Sequence, residues 1–478
     1  MRCGKICCAF FYLQLCGNMA KGDFMAVISV DLKKEYQSFE GFGASGAWWA
    51  QLVGGWEHSD PVSGMAVRDR ISQLLFSKDK GIALRTYRYN LGGGSKEAGN
   101  GKFPNPLRRA ECFLNEKGEP DFTKDKNAVY MMRKAVNDGA EELIFFVNSP
   151  PVCFTKNGKA HSDTAGRENL PKKNYRKFAN YCLDVAQHFI SEGLPVKYLS
   201  PVNEPLWVWT GGQEGCHYRP RSVRKVFEVF AEELEKRPNL KGLKLSGAEN
   251  GDIRWFNKSY TRQLLKSPMV RKYLDSVDVH SYCLPAPFKF LNNRTAYLKR
   301  FRKWMDKHYP EIPVKMSEWT HMKGGRDYGM DSALEMARVM YEDISILHVT
   351  SWQHWIAVSE VDYCDGLIYI NLEDKSFELT KRYFATGNFS KYVSHMAKRV
   401  EAKTDDPDIL PLAFKGENTV VILINPTAEE KTVTINNLSG SARLIVTDDN
   451  KNLEETPLSS LENIKLTPRS VNTVVLNE

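Results

Sequence analysis

The chain has 478 residues, of which 42% are apolar and 26% are charged, and its formal net charge is +8. This length exceeds one ordinary core, so two domains are expected, and the composition excludes intrinsic disorder. The positive charge is spread over helix-like stretches such as residues 299–307, where basic residues alternate with Phe301 and Trp304. A solvated helix face explains this pattern better than a nucleic-acid groove, so no nucleic-acid partner is expected.

The N-terminal segment, residues 1–25, has two interpretations. Two basic residues precede an apolar run over residues 6–16, which is the layout of a short secretory signal. No small-x-small cleavage motif follows, and Met19 or Met25 is an alternative first residue. We interpret the segment as a signal or a non-native extension. A secreted or cell-surface protein is favoured, and a cytoplasmic one is the alternative.

Two further sequence features limit the possible functions. No later segment approaches the run of about eighteen apolar residues that a membrane span needs. The ten cysteines, four of them within the first sixteen residues, include no C-x-x-C pair at zinc-ligand spacing. Free structural thiols are therefore expected, and the sequence predicts neither a metal site nor another cofactor.

The central part of the chain alternates between short apolar runs and longer amphipathic stretches. Strands are predicted at residues 39–44, 84–90, 143–148, 196–203, 243–248, 277–281, 314–317 and 350–354. Helices are predicted between them at residues 67–76, 128–137, 175–190, 223–236, 297–308 and 333–346. Eight such alternations predict an α/β fold with a closed (β/α)8 TIM barrel, whose active site lies where the strands end.

The C-terminal part has a different pattern. Short β-rich runs separated by turn residues are found at residues 410–414, 419–425, 431–435, 442–447 and 471–476. They predict an appended antiparallel β-sandwich, which a strand-like run at residues 26–32 is expected to join. The predicted domains are therefore residues 1–25 as above, 26–38 as a strand of the sandwich, 39–387 as the barrel and 388–478 as the sandwich.

Two glutamates lie at the ends of the fourth and seventh predicted barrel strands. Glu204 is in Ser200-Pro-Val-Asn-Glu-Pro205, and Glu318 follows Val314-Lys-Met-Ser317. A carboxylate next to a buried strand is costly unless it faces a polar cleft. Because a barrel brings these two strand ends to one mouth, we predict that Glu204 is the acid/base and Glu318 the nucleophile of a retaining glycosidase.

Polar residues beside this pair are predicted to bind substrate. Asn203 can bond a sugar 2-hydroxyl, an interaction that strengthens in the transition state. Arg88 and Asn90 end the second strand, where a guanidinium can orient a carboxylate or hydroxyls. A buried structural Arg–Glu pair is the alternative for Arg88.

Aromatic and imidazole groups at other strand ends are further candidates. His280 and Tyr282 end the sixth strand, and a tyrosine hydroxyl there can hold the nucleophile ionised. A hydrogen-bonded core histidine is the alternative for His280. Trp355, after the eighth strand, is a predicted sugar platform; Trp49, with its neighbour Trp48, is a weaker candidate because one of such a pair usually packs in the core.

Several segments resemble glycoside hydrolase family 30. They are Phe39-Glu-Gly-Phe-Gly-Ala-Ser45, Arg88-Tyr-Asn-Leu-Gly-Gly-Gly94, Asn148-Ser-Pro-Pro151, Ser200-Pro-Val-Asn-Glu-Pro205, Val277-Asp-Val-His-Ser-Tyr282 and residues 383–392. The resemblance extends from about residue 39 to the C-terminus. It implies the retaining roles assigned above to Glu204 and Glu318, a tyrosine contact to the nucleophile, and a substrate-binding role for Asn148.

Within this family, residues 46–51, 213–218 and 362–367 most resemble the endo-β-1,6-galactanase-like branch. Cys153-Phe154 departs from the family, whose members often carry a tryptophan at this place, so the wall beside the reacting sugar is altered. The prediction is a monomeric retaining hydrolase of β-linked oligo- or polysaccharides, with β-1,6-galactan as substrate. The alternatives are a glucosylceramidase, a β-1,6-glucanase or xylanase, and a non-catalytic carbohydrate-binding barrel.

Overall fold

The computed structural model describes residues 25–96, 103, 105–283 and 292–476. The first strand, β1 (Met25–Phe39), precedes a barrel of eight parallel strands, in which each pairs with the next and the last pairs with the first. The barrel strands are β2 (Gly41–Ser45), β3 (Thr86–Asn90), β4 (Glu142–Phe146), β5 (Val196–Ser200), β6 (Lys244–Asn250), β7 (Leu274–His280), β8 (Val314–Trp319) and β9 (Ser351–His354). The predicted (β/α)8 barrel is confirmed.

Helices flank the barrel, and the last two also contact strands of the second domain. They are α1 (Trp49–Val53), α2 (Val67–Phe76), α3 (Lys126–Asp138), α4 (Tyr175–Ser191), α5 (Pro220–Glu235), α6 (Trp255–Leu265), α7 (Pro268–Tyr273), α8 (Arg294–His308), α9 (Met330–Glu342) and, after the barrel, α10 (Lys381–Ser390). In α5, Pro220 at the first turn suits a helix start, and Val223, Phe227 and Phe230 recur at helical spacing on the buried face. Short 3-10 turns cover Pro106–Arg108, Val152–Phe154, Lys172–Asn174 and Pro238–Leu240, and a π-helical turn, Asp343–Leu347, follows α9.

Several predicted boundaries differ from the observed ones. Phe39 belongs to β1, β5 ends at Ser200 instead of residue 203, and β6 continues to Asn250, past the predicted end at residue 248. Strand β8 includes Glu318, which was expected just after it. The sequence also gave no prediction of α6 and α7, because their apolar residues follow no long helical period.

The second domain is one nine-stranded sheet. After a three-stranded sheet of β10 (Ile356–Ser359), β11 (Gly366–Ile370) and β12 (Phe377–Leu379), its strands are β13 (Ala397–Thr404), β14 (Leu410–Lys415), β15 (Thr419–Asn425), β16 (Lys431–Asn436), β17 (Ala442–Thr447), β18 (Glu454–Leu458), β19 (Ile464–Leu466) and β20 (Ser470–Leu476), with β1. Their order is β18-β17-β20-β15-β14-β13-β1-β16-β19, and pairs are antiparallel except β1 with β16. Strands from both ends of this order contribute to one hydrophobic cluster, so the domain has a core of its own.

The two domains are joined by buried polar contacts. The Asn388 side chain in α10 donates to the Ile445 carbonyl and to Thr473 Oγ1, each at 3.1 Å, and Thr473 donates back to the Asn388 carbonyl at 2.8 Å. Because these hydrogen bonds are buried, they help to fix the sheet against the barrel. Within the part of the chain described here, no helix has the length and apolar character needed to span a bilayer.

Candidate active site

Glu204 and Glu318 meet at the carboxyl end of the barrel. Glu204 lies four residues after β5 with a positive φ of 43°, a backbone strain of about 1–3 kcal/mol. Two hydrogen bonds hold this conformation: the Glu204 N–H donates to the Glu249 carbonyl, and Trp209 Nε1 donates to the Glu204 carbonyl, each at 2.9 Å. One carboxylate oxygen of Glu204 and one of Glu318 lie within 4.8 Å of each other.

His280 lies between these carboxylates. Its Nδ1 is 3.0 Å from Glu204 Oε1 and 3.4 Å from Glu318 Oε1, and its Nε2 is 2.8 Å from Glu249 Oε2. Burial lowers the pKa of His280, but the surrounding carboxylates, Glu318 and Glu204 among them, outweigh it and raise the pKa to about 10. The imidazole is therefore protonated at neutral pH and donates from both nitrogens.

Arg88 is fully buried below the same carboxylates. Its Nη1 donates to Glu318 at 2.9 Å, and its Nη2 donates to Glu249 at 2.8 Å and to Asn203 Oδ1 at 3.0 Å. The guanidinium carbon lies 3.6 Å from the centre of the Phe146 ring. Arg88 thus fixes the Glu318 carboxylate and the Asn203 amide relative to each other.

Glu249 is a third buried carboxylate that the sequence analysis did not identify. Its Oε2 accepts from Arg88, His280 and Ser317 Oγ, all at 2.8 Å. Burial raises the pKa of Glu249, but the positive charges of Arg88 and His280 lower it to about 2. A signal was present, because Glu249 directly follows the predicted strand at residues 243–248, as Glu204 and Glu318 follow theirs.

The charges of this cluster favour the uptake of one proton. Burial raises the pKa of Glu318 to about 7; His280 and Arg88 oppose this shift, while Glu204 and Glu249 add to it. Three carboxylates and two cations leave one negative charge uncompensated in a buried site, and a single proton neutralises it. Glu249 stays ionised, whereas its raised pKa lets Glu318 take up this proton near neutral pH.

A cleft with a volume of about 400 Å³ opens above the pair. Trp355, Tyr282 and Asn203 line it together with the two glutamates, and Trp207 and Trp209 form another part of its wall. The sequence analysis missed these two tryptophans, although the Trp-x-Trp pattern three residues after Glu204 was visible. Aromatic faces beside polar groups are suited to the C–H faces and hydroxyls of a sugar.

Comparison with known proteins identifies the family of this site. The family model for O-glycosyl hydrolase family 30 matches residues 25–369. The chain belongs to O-glycosyl hydrolase family 30. It is 25% identical over 414 residues to an endo-β-1,6-galactanase of Hypocrea rufa, and the alignment covers 80% of this chain and 77% of that protein. As a family 30 member it is a glycosyl hydrolase that acts on carbohydrate with retention of configuration.

Solved structures show the same fold. A conserved exported protein from Bacteroides fragilis superimposes with a TM-score of 0.84 at 24% identity, over 94% of this chain and all of that one. An endo-β-1,6-glucanase superimposes with a TM-score of 0.69 at 16% identity, over 95% of this chain and 95% of that one. The barrel with its appended sheet is therefore shared with these proteins.

The family 30 site brings together most residues that the sequence singled out, but in two layers. Asn203, Tyr282 and Trp355 face the cleft with the two glutamates, and the Tyr282 hydroxyl is 3.4 Å from Glu318 Oε1. Arg88 and His280 lie beneath and contact carboxylates. Asn148 accepts from Asn203 at 2.9 Å and donates to Asn90 at 3.1 Å, so this amide chain extends sideways from the cleft.

Trp49 is not brought to the cleft. Its side chain is 1% exposed, its Nε1 donates to the Ser45 carbonyl at 2.9 Å, and its ring packs edge-on against Tyr87. A ring enclosed in this way offers no face to a sugar. Its neighbour Trp48 instead packs edge-on against Trp355, with ring centres 5.2 Å apart, and so supports the cleft wall.

Glu204, His280 and Glu318 also have the spacing of a metal site, since one potential ligand atom of each lies within 4.8 Å of the others. The protonated imidazole, however, donates from both nitrogens and has no lone pair for a metal. The donor set therefore suits proton transfer between carboxylates better than metal binding.

Proposed function

We propose that this protein is an endo-β-1,6-galactanase in which Glu318 is the nucleophile and Glu204 is the acid/base. The observation that carries the assignment is the approach of their carboxylate oxygens to within 4.8 Å. Retaining enzymes have carboxyl groups about 5–5.5 Å apart, whereas inverting enzymes need about 6.5–9.5 Å to admit a water. This separation supports the double-displacement roles of the two residues.

The surrounding residues support the direction of each step. Glu318 attacks the anomeric carbon while Glu204 donates a proton to the departing oxygen, and Glu204 then removes a proton from the water that releases the sugar. Arg88 and protonated His280 hold the nucleophile in place and compensate its charge. Asn203, fixed by Arg88, presents its amide to the 2-hydroxyl of the reacting sugar.

The choice of β-1,6-galactan rests on sequence similarity. The endo-β-1,6-galactanase of Hypocrea rufa is matched over 80% of this chain. The chain is also 23% identical, over an alignment of 218 residues, to an exo-β-1,6-galactobiohydrolase of Bifidobacterium longum; the alignment covers 35% of this chain and 14% of that protein. Both relatives act on β-1,6-linked galactose, which favours that linkage for this chain.

A glycolipid hydrolase of the glucosylceramidase type is the second candidate, because the cleft has apolar groups at its edge. Val208 and Met322 both line the cleft and are each 52% exposed. Exposed apolar side chains at a cleft mouth can take an apolar aglycone. The same groups also suit the C–H faces of a polysaccharide, so the substrate panel must include both.

Three wider properties of the enzyme are also proposed: secretion, a monomeric state and the absence of a nucleic-acid partner. The proposal of secretion rests on the signal-like sequence pattern of residues 1–25, of which 1–24 lie outside the described residues. A monomer without nucleic-acid partners is proposed from the dispersed charge of the sequence. Gel filtration with light scattering and an electrophoretic binding assay with DNA and RNA test the last two properties.

The deciding experiment is to incubate the purified protein with β-1,6-galactan, β-1,6-glucan, xylan and a glucosylceramide and to analyse the products. Galacto-oligosaccharides of mixed length, released from β-1,6-galactan alone and first formed as the β-anomer, are expected. Cleavage of glucosylceramide in preference to all glycans supports the second candidate. Release of the α-anomer contradicts the assigned roles of Glu204 and Glu318, whatever the sugar.

A further inference from the structure

A second cavity adjoins the catalytic cleft on the Glu318 side. It has a volume of about 370 Å³. One wall is formed by residues that follow β7 and β8, and the other by the start of α8 and one side of α9. Tyr282 and Met322 line both this cavity and the catalytic cleft, so the two lie next to each other. Its size is within the range of about 300–1,000 Å³ that is typical of small-ligand sites.

The cavity is polar and its charges are balanced. Arg338 donates through Nε to Glu335 at 3.0 Å, through Nη2 to Glu335 at 2.6 Å, and through Nη1 to Glu342. Arg294 pairs with Glu342 from the other side. Two cations and two anions thus line the same space, which favours a neutral polar ligand over an anion or a cation.

The same groups have hydrogen-bonding capacity left for such a ligand. The bonds of Arg338 to described residues use three of the five N–H groups of its guanidinium, and its side chain is 40% exposed. A hydroxyl is both donor and acceptor, so neighbouring hydroxyls match an Arg–carboxylate pair, in which N–H groups and oxygen lone pairs lie side by side.

His321 adds an acceptor and a ring face. Burial lowers the pKa of His321, so the ring is neutral at neutral pH. Among the described residues, its buried Nδ1 has no hydrogen-bond partner. The ring lies nearly parallel to Trp319, at 13° with centres 6.5 Å apart, and Trp319 directly follows Glu318 in β8. A buried ring nitrogen without a partner is costly in either tautomer unless a ligand or water satisfies it.

We propose that this cavity, defined by His321, Glu335 and Arg338, is an additional sugar subsite for a neutral pyranose of the same chain that is cleaved at Glu318. The proposal rests on the proposed function and deepens it, since a distant subsite is useful only for a polymeric substrate. The subsite binds hydroxyls of a sugar unit that lies beyond the reacting one. Substrates too short to reach it gain nothing from it.

The test compares substrates of increasing length in three variants. Arg338→Gln and His321→Ala each remove a ligand contact, and His321→Ala leaves α9 unchanged in case Arg338→Gln unfolds. The matched control is Arg224→Gln, which removes an arginine paired with Glu228 at the same i,i+4 spacing on α5, outside both cavities. The substrates are an aryl β-galactoside and β-1,6-linked galactose oligomers from the disaccharide to the hexasaccharide.

The expected result is a loss of kcat/KM of about tenfold on the longer oligomers in both subsite variants, as for one hydrogen bond to a charged or buried group. The activity of both subsite variants on the aryl galactoside stays within about twofold of the wild-type activity. The control variant stays within the same limit on every substrate. Equal losses on short and long substrates, or no loss on either, overturn the subsite.

The outcomes separate the subsite from the proposed function. If the wild type cleaves another β-glycan of the panel instead of galactan, the galactanase assignment fails and the same length series is measured on that glycan. If the wild type cleaves galactan but kcat/KM does not rise with length, the subsite fails and the function stands. Cleavage of none of the glycans overturns both.

Discussion

Replacing Glu249 by glutamine tests whether this third carboxylate controls the protonation of the catalytic pair. Its three donors, Arg88, His280 and Ser317, all converge on Oε2 at 2.8 Å. Because a glutamine oxygen can occupy that place, the substitution removes one negative charge with little change of shape. A hydrogen bond to a charged group contributes about 1.5–3 kcal/mol, and each 1.36 kcal/mol in a barrier is about tenfold in rate. We therefore expect kcat to fall about tenfold to a hundredfold.

The substitution should also move the pH profile in a defined direction. In the wild type, burial raises the pKa of Glu318 to about 7, and a nucleophile must be ionised to attack, so this pKa sets the acidic limb of the kcat profile. Glu249 contributes to that raised pKa, so its neutralisation lowers it. The acidic limb of kcat should therefore shift to lower pH, while KM changes little because Glu249 is fully buried and does not reach the substrate.

The assay measures kcat and KM separately from about pH 4 to about pH 9, with thermal unfolding of each variant as a check on folding. Asp278→Asn is the matched control, because Asp278 is also buried and accepts from Ser276 at 2.5 Å. Burial raises the pKa of Asp278 to about 7, so asparagine resembles its neutral form. A lower melting temperature with the wild-type pH profile in Glu249→Gln refutes the reasoning and leaves Glu249 a structural role only.

Three further outcomes follow from the site. Glu318→Gln should lower kcat by at least about 10⁴-fold, measured by single-turnover kinetics, and full activity contradicts its role as nucleophile. Gly251→Ala should lower kcat about tenfold or more, because the added Cβ lies 2.5 Å from Glu204 Oε1, whereas the control Gly242→Ala, with no atom within 4 Å, keeps it. His280 has a pKa of about 10, above its ordinary 6.5, so the stability that it contributes is complete below pH 6.5 and is lost as pH rises through 10. Chemical unfolding across this range should show the decline, and a variant His280→Gln with the same slope as the wild type contradicts it.

The barrel could be predicted from the sequence because the pattern of each strand and each helix lies within a short segment. Alternation of apolar runs and amphipathic stretches reports strands and helices directly, and the strand ends then place Glu204 and Glu318 at one mouth. Residues adjacent to these strands, such as Asn203 and Tyr282, were found by the same rule. Boundaries were less certain, since β6 continues two residues beyond its apolar run and so includes Glu249.

Which side chains touch sugar and which support the carboxylates was not a local property. Arg88 lies within β3 and His280 ends β7, yet both are fully buried and contact carboxylates inside the barrel. Trp49 and Trp355 both follow predicted strands, but α1 places Trp49 in the core while Trp355 lines the cleft. Orientation of this kind depends on neighbours that are distant along the chain.

The sequence by itself determined the fold class, the two glutamates and the family resemblance, because each is carried by short segments with their own chemistry. Only the tertiary structure decided that Glu249, Arg88 and His280 form one buried network with the pair, since they come from three different barrel strands. It also decided that a second polar cavity adjoins the cleft, because residues that follow β7 and β8 meet α9 there. Charge balance and cavity shape are properties of side chains that converge in space, and no single segment contains them.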